Sequence, residues 1–186
     1  MSAQDLVREA QDHMEKSLDA TKRELSGVRS GKASAGLLDT VKVDYYGTLT
    51  PLKQIASVSA PEARLLTVQP FDKSAGAAIE KAIRDSGLGL NPASHGGIIR
   101  IPIPTLTEER RKELVKVLRG MVEHGRVAVR NIRHHTNDHL KQLEKDGKIT
   151  EDEHKREAKR VQDMTDAHIK KLDDLLKAKE ADIMEV

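Results

Sequence analysis

Six basic side chains, Lys112, Lys116, Arg119, Arg126, Arg130 and Arg133, follow one another at steps of four, three, seven, four and three residues. On an α-helix, at about 100° per residue, they share an arc of roughly 100°. His134 lies beside the row, and Glu123 alone interrupts it. A line of fixed cations on one helix face suits a phosphate backbone and reads the shape of RNA rather than its sequence. The later half is arginine only, and the guanidinium fork binds phosphate bidentately. The competing explanation is a solvated face paired with acids of a neighbouring helix. The row lacks the i,i+4 acids that usually accompany such a face. An RNA-binding ridge is therefore expected at Lys112, Lys116, Arg119, Arg126, Arg130, Arg133 and His134.

Other groups promise less. His135 and His139 have the i,i+4 spacing of metal-ligand pairs, with Asp138 between them. No third ligand stands out in the sequence, so a polar layer between helices is expected, and no metal site. Gly87-Leu88-Gly89 and Gly96-Gly97 are followed by no Lys-Ser/Thr pair and build no phosphate loop. Asp173-Asp174 sits in a charge-rich helix with no apolar pocket to shift a pKa. No catalytic constellation and no cofactor is expected, and the chain should bind no nucleotide. With no Cys, thiolate zinc sites, disulfides and Cys nucleophiles are excluded.

Three segments must position the ridge. Residues 1–30 lack Pro and have no Gly before Gly27, and Val7, Met14, Thr21 and Val28 recur every seventh residue. That is a helix with a coiled-coil-like seam. Residues 31–104 hold all six prolines and most of the glycines. Val41, Val43 and Tyr45 alternate before Gly47 and predict a hairpin; Ile55–Val58, Leu65–Val68 and Ile98–Ile103 predict further strands, and Ala75–Ile83 a helix. From residue 105 the pattern is helical again. Thr107 is a candidate N-cap, and the helix runs to Lys145 before Asp146-Gly147. Leu114, Leu118, Met121, Gly125, Ala128 and Ile132 are assigned to its core side, opposite the ridge. Thr150-Glu151-Asp152-Glu153 is a capping box opening a third helix.

None of these helices buries its apolar seam alone. The sequence predicts an α+β protein. Both chain ends, 1–30 and 105–186, form a long three-helix bundle, and residues 31–104 are an inserted small α/β, β-rich domain. The two crossings, Ser30-Gly31-Lys32 and Ile103-Pro104-Thr105, form a plausible hinge.

Composition narrows the function. Lys and Arg number 32 against 30 Asp and Glu, a net charge of +2, so nucleic-acid binding must come from local patterning rather than bulk charge. Tyr45, Tyr46 and Phe71 are the only aromatics, too few for a base-stacking platform. The amino terminus resembles neither a signal nor a transit peptide, and no apolar run can span a bilayer. A cytoplasmic monomer without membrane contact is expected. A coiled-coil scaffold would explain the helices but not the inserted domain or the ridge.

Several strings resemble the ribosome recycling factors. They are Leu37-Leu38-Asp39, Asp44-Tyr45-Tyr46-Gly47, Pro61-Glu62-Ala63-Arg64, Ser86-Gly87-Leu88-Gly89-Leu90 and the run from Leu106 to Lys116. Val129-Arg130-Asn131-Ile132-Arg133, Leu143-Glu144-Lys145-Asp146-Gly147 and the ending Lys179–Val186 join them. The resemblance implies an L shape resembling tRNA in outline, with a bundle hinged to a small α/β domain. It implies binding between the ribosomal subunits with the bundle on large-subunit RNA. With elongation factor G and GTP, such a factor splits the post-termination complex without catalysing a reaction itself. It also implies that Arg130 and Arg133 contact ribosomal RNA. The chain departs from the family pattern at His134 and His135, where Arg then Asp is usual. It departs again at Lys32, usually Arg, and at Phe71, usually Trp or Tyr.

Overall fold

The computed structural model describes residues 1–185. Val186, the last residue of the matched ending, lies outside the described residues. The chain divides into two compact units: Met1–Ser30 together with the segment from Glu108 on, and Gly31–Thr107.

The first unit is a bundle of three helices, α1 (Ala3–Ser26), α4 (Glu108–Lys145) and α5 (Glu151–Met184), each packed on the other two. Leu6, Val7, Ala10, Met14, Leu18, Thr21 and Leu25 bury the heptad face of α1. The Ser2 hydroxyl accepts the Asp5 N–H at 3.1 Å, and the Asp5 carboxylate accepts the Ser2 N–H at 3.0 Å, closing a capping box. Those bonds to Ser2 hold the Asp5 carboxyl below the usual carboxylate range.

The helix α4 ends where Gly147 takes φ 66°, letting Gly147 and Lys148 donate back to the carbonyls of Glu144 and Leu143. The expected capping box then opens α5, with Thr150 and Glu153 exchanging bonds at 3.2 and 2.9 Å. The buried threonines of the bundle are satisfied locally: Thr21, Thr136 and Thr165 donate to the carbonyls four residues back. Glu157, with 2% of its side chain exposed, is held by Arg156 and Arg160.

The second unit pairs a β1–β2 hairpin (Lys42–Tyr45, Thr48–Pro51) with an antiparallel sheet of order β3-β4-β6-β5. The strands are β3 (Ala56–Glu62), β4 (Leu65–Pro70), β5 (Ala93–His95) and β6 (Ile98–Pro102). The helix α3 (Gly76–Arg84) contributes Ile79 and Ile83 to a core shared with Leu38, Val43, Leu66, Val68, Ile99 and Ile101. The combination is α+β, as expected.

Three local expectations are corrected. Ile55 closes a single helical turn, α2 (Leu52–Ile55), so β3 starts at Ala56. The strand β3 runs past the expected end at Val58, through Pro61 to Glu62: it is at a sheet edge with a register shift between Ser59 and Glu62, so no ladder needs the N–H that Pro61 lacks. Residues 105–107 belong with the second unit rather than the bundle. The Arg64 guanidinium donates to Thr105 Oγ1 at 3.1 Å, and Leu106 packs on Gly31.

Candidate nucleic-acid interface

The buried face of α4 consists of Leu118, Val122, Gly125, Val129, Thr136 and Leu140. Leu114, Met121 and Ile132, which the sequence reading placed in the core, are only partly buried, and so is Ala128. The core line is therefore turned toward the basic row. By helical geometry the two are centred about 100° apart, not opposite. The expectation that the ridge faces away from the core is corrected to a ridge on the shoulder of α4, beside α5.

That turn divides the ridge in two. Arg119, Arg126 and Arg133, spaced by sevens, reach α5. Arg119 Nε donates to Glu180 at 2.8 Å. Arg126 donates to Asp173 through Nε at 2.9 Å and Nη2 at 2.5 Å. Arg133 Nη1 donates to the Gln162 amide oxygen at 3.2 Å. Such heptad-flanking pairs set register between antiparallel helices. The neighbouring-helix explanation is thus correct for Arg119 and Arg126. The expectation that the row lacks acid partners is overturned as well. Lys112 pairs with Glu108 at i,i+4. Glu123 accepts from Arg126 at 2.9 Å and from Arg130 at 3.2 Å.

Charge is therefore not uniform along the ridge. Arg126, with 21% of its side chain exposed, is neutralised twice, and Asp173, ahead of Glu123, raises its pKa. Arg133 meets only a neutral amide and keeps its full charge. Lys116 forms no ion pair among the described residues. His134 is exposed. Lys141 shares the ridge's arc two turns beyond Arg133 and is exposed, again without an ion pair among the described residues. The sequence reading missed it because Asn137 interrupts the run of cations.

The carboxyl of Glu123 is held below the usual carboxylate range, chiefly by Arg126 and then Arg130. Its pairing is complete above that range and is lost as the pH falls below it.

These assignments separate an anchor from an outward face. Arg126→Ala should lower bundle stability by about 1 kcal/mol, because it strips two carboxylates of a partly buried partner. RNA affinity per folded molecule should stay within about threefold of wild type. Chemical denaturation and an RNA-binding titration of the same preparation check both.

His135 and His139 are exposed, not layered between helices. They line a cavity at the α1–α4 seam with Glu9 and His13. Among the described residues no group of three or more His, Cys, Asp or Glu could hold a metal ion. No helix among them is long and apolar enough to cross a membrane. At the two crossings, Gly31 has φ 77°. Ile103 donates its N–H to the Arg64 carbonyl at 2.8 Å, Ser30 and Lys32 are partly buried, and Pro104 and Thr105 are exposed.

Residues 21–184 match the family described as ribosome recycling factor. The ribosome-recycling factor of Bacillus pumilus strain SAFR-032 is 54% identical over 184 residues, covering 99% of this chain and 100% of that one. The one from Carboxydothermus hydrogenoformans is 54% identical over 183 residues, covering 98% and 99%. A solution structure of ribosome recycling factor superposes with a TM-score of 0.74 at 42% identity, covering 100% of this chain and 99% of its own. A second similar structure has a TM-score of 0.63 at 49% identity, covering 99% of this chain and all of its own. It comes from models of the T. thermophilus ribosome recycling factor and E. coli elongation factor G bound to the E. coli post-termination complex. The likeness spans both units, and the chain belongs to the ribosome recycling factor family.

Proposed function

We propose that the protein acts with elongation factor G and GTP to take apart the post-termination ribosome, releasing it from mRNA. The observation that carries this is the end-to-end match to ribosome recycling factors, with the Arg130 and Arg133 motif on the accessible shoulder of α4. The protein works as a cytoplasmic monomer and catalyses nothing itself; the partner GTPase supplies the energy. The bundle docks on large-subunit RNA at the subunit interface, through Lys116, Arg130, Arg133 and His134 with Lys112 and Lys141. Arg119 and Arg126 hold α4 to α5 beneath them. The test is light scattering of post-termination ribosomes with elongation factor G and GTP. Adding the protein should split them; intact ribosomes at saturating protein would refute the proposal.

Within this reading Glu123 attenuates docking by neutralising Arg130 in the free protein. Glu123→Gln should raise ribosome affinity about three- to tenfold, as measured by pelleting at fixed salt. An unchanged affinity would remove Glu123 from the account.

The crossings at Ser30–Lys32 and Ile103–Thr105 serve as the hinge. A Cβ at Gly31 would lie 2.9 Å from Leu106 Cγ, on a backbone that L side chains rarely adopt. Gly31→Ala should therefore keep ribosome pelleting, a bundle property, and lose most splitting. Splitting at the wild-type rate in Gly31→Ala would take this crossing out of the mechanism.

A further inference from the structure

All three aromatic residues of the chain gather at one carboxylate of the second unit, Asp72. Tyr45 ends β1, and Tyr46 opens the turn to β2. Their rings meet edge to face, with centroids 4.6 Å apart. Both hydroxyls donate to Asp72 Oδ2 at 3.3 Å. The Ser74 N–H donates to Asp72 Oδ1 at 2.9 Å, and Ser74 Oγ lies 3.2 Å from the Tyr46 hydroxyl. Phe71 immediately precedes Asp72. Tyr46 is 78% exposed and Phe71 70%, so both rings stand in solvent.

The turn does not call for tyrosine. Tyr46 and Gly47 take φ 51° and 81° in a two-residue loop between the paired Tyr45 and Thr48. Glycine, asparagine or aspartate fills the first of these left-handed positions at least cost. Tyr46 is the one residue other than glycine with positive φ among the described residues. Its ring, mostly in solvent, adds little to the core, and the bonds to Asp72 and Ser74 hold it at the surface instead. A ring kept exposed on a costly backbone marks a contact surface. The charge beside it sets the chemistry of the partner. Asp72 forms no ion pair among the described residues, not even with the adjacent Lys73. Its carboxyl is held below the usual carboxylate range, chiefly by Ser74, so the negative charge stands uncompensated. A planar guanidinium suits both features, stacking on an aromatic face and forking onto a carboxylate. The phosphate of a nucleotide would be repelled.

We propose that Tyr46, Phe71 and Asp72 form a docking surface for a protein partner, which lays an arginine on the Tyr46 ring with its guanidinium at the Asp72 carboxylate. Phe71 packs on the apolar neighbours of that arginine. Aromatic side chains facing arginine make up the centres of protein interfaces. The cationic row of α4 selects an anion; this surface, on the other unit, selects a cation.

The test is an NMR titration of the full-length chain with an acetylated, amidated tripeptide of leucine, arginine and leucine. The same peptide with lysine or glutamate at its centre, and uridine monophosphate, are the comparisons. The signals of Tyr46, Phe71, Asp72 and Ser74 should shift and saturate with a dissociation constant on the order of 1 mM. The lysine peptide should bind about threefold or more weakly, and the glutamate peptide and the nucleotide should leave these signals unmoved. Asp72→Asn keeps the shape and the capping bond to Ser74 but removes the charge, and should weaken binding about tenfold or more. Tyr46→Asn suits the turn, so it should melt no lower than wild type while losing the arginine peptide. Amide spectra confirm that both variants remain folded. No saturable shift, equal affinity for the lysine peptide, or undiminished binding in Asp72→Asn or Tyr46→Asn would each overturn the proposal. Uridine monophosphate moving the same signals would overturn it too, in favour of a nucleobase platform. The titration contains no ribosome, so its outcome is independent of the function proposed above.

Discussion

Gly125→Val should lower the bundle's melting temperature by about 6–12 °C, while Gly120→Ala, on the same helix, should raise it slightly. A Cβ on Gly125 would lie 2.6 Å from Thr21 Oγ1 and 3.3 Å from Leu172 Cδ2, where α1, α4 and α5 meet. Neither neighbour can withdraw, because Thr21 is fixed to the Ser17 carbonyl at 3.0 Å and Leu172 is fully buried. Overpacking of this kind costs about 1–3 kcal/mol, and a β-branched side chain belongs at the upper end. At about 2–4 °C per kcal/mol for a chain of this size, the stated loss follows.

Gly120 has open space around its Cβ position. Alanine there should add roughly 0.5–1 kcal/mol through helix propensity alone. Gly125→Ala should fall between the two variants, and in a Thr21→Ala background it should recover at least half of its loss. Helical circular dichroism on the four variants checks the set. Equal effects at the two glycines would mean that the three helices do not approach as described.

Arg133→Ala should weaken ribosome binding about ten- to a hundredfold, the loss of one well-placed phosphate contact of about 1–3 kcal/mol. Arg133 gives up only one hydrogen bond to a neutral amide, so thermal stability should fall by no more than about 1 kcal/mol. Arg130→Ala should weaken binding less, since Glu123 already spends part of its charge in the free protein. Lys141→Ala should fall between these two, being unpaired among the described residues but far along the helix. The order Arg133, Lys141, Arg130, read from ribosome titrations, separates this account from one in which every cation of the row counts equally. A fall of several degrees in the melting temperature of Arg133→Ala, with normal binding per folded molecule, would make that residue structural.

Much of the fold could be read in the sequence because it rests on local rules. The end of α4 at Lys145 follows from Asp146-Gly147, and the start of α5 from Thr150 and Glu153. The seam of α1 follows from a seven-residue repeat. What escaped depended on the third dimension. The α4 core line could not be placed exactly because Leu114, Met121 and Ile132 are apolar yet only partly buried. The choice between lines depends on where α1 and α5 pack. That choice turned Arg126 from a ligand-facing residue into an anchor, through Asp173, 47 residues away. Thr105 and Leu106 joined the second unit through Arg64 and Gly31, again remote in sequence. Histidines read as a buried layer are exposed because the helices meet along Thr136 and Leu140 instead.

The central claim is that α4 docks on RNA through phosphates, and the salt dependence of ribosome binding tests it most directly. Binding constants for wild type and for the Arg130→Ala/Arg133→Ala double variant are measured across a series of monovalent salt concentrations. The plot of log K against log salt should be steep for wild type. For the double variant it should be shallower by roughly 0.7–0.9 for each phosphate contact removed, with melting behaviour preserved. Parallel lines, with the variant weakened equally at every salt concentration or not at all, would contradict docking through these two arginines.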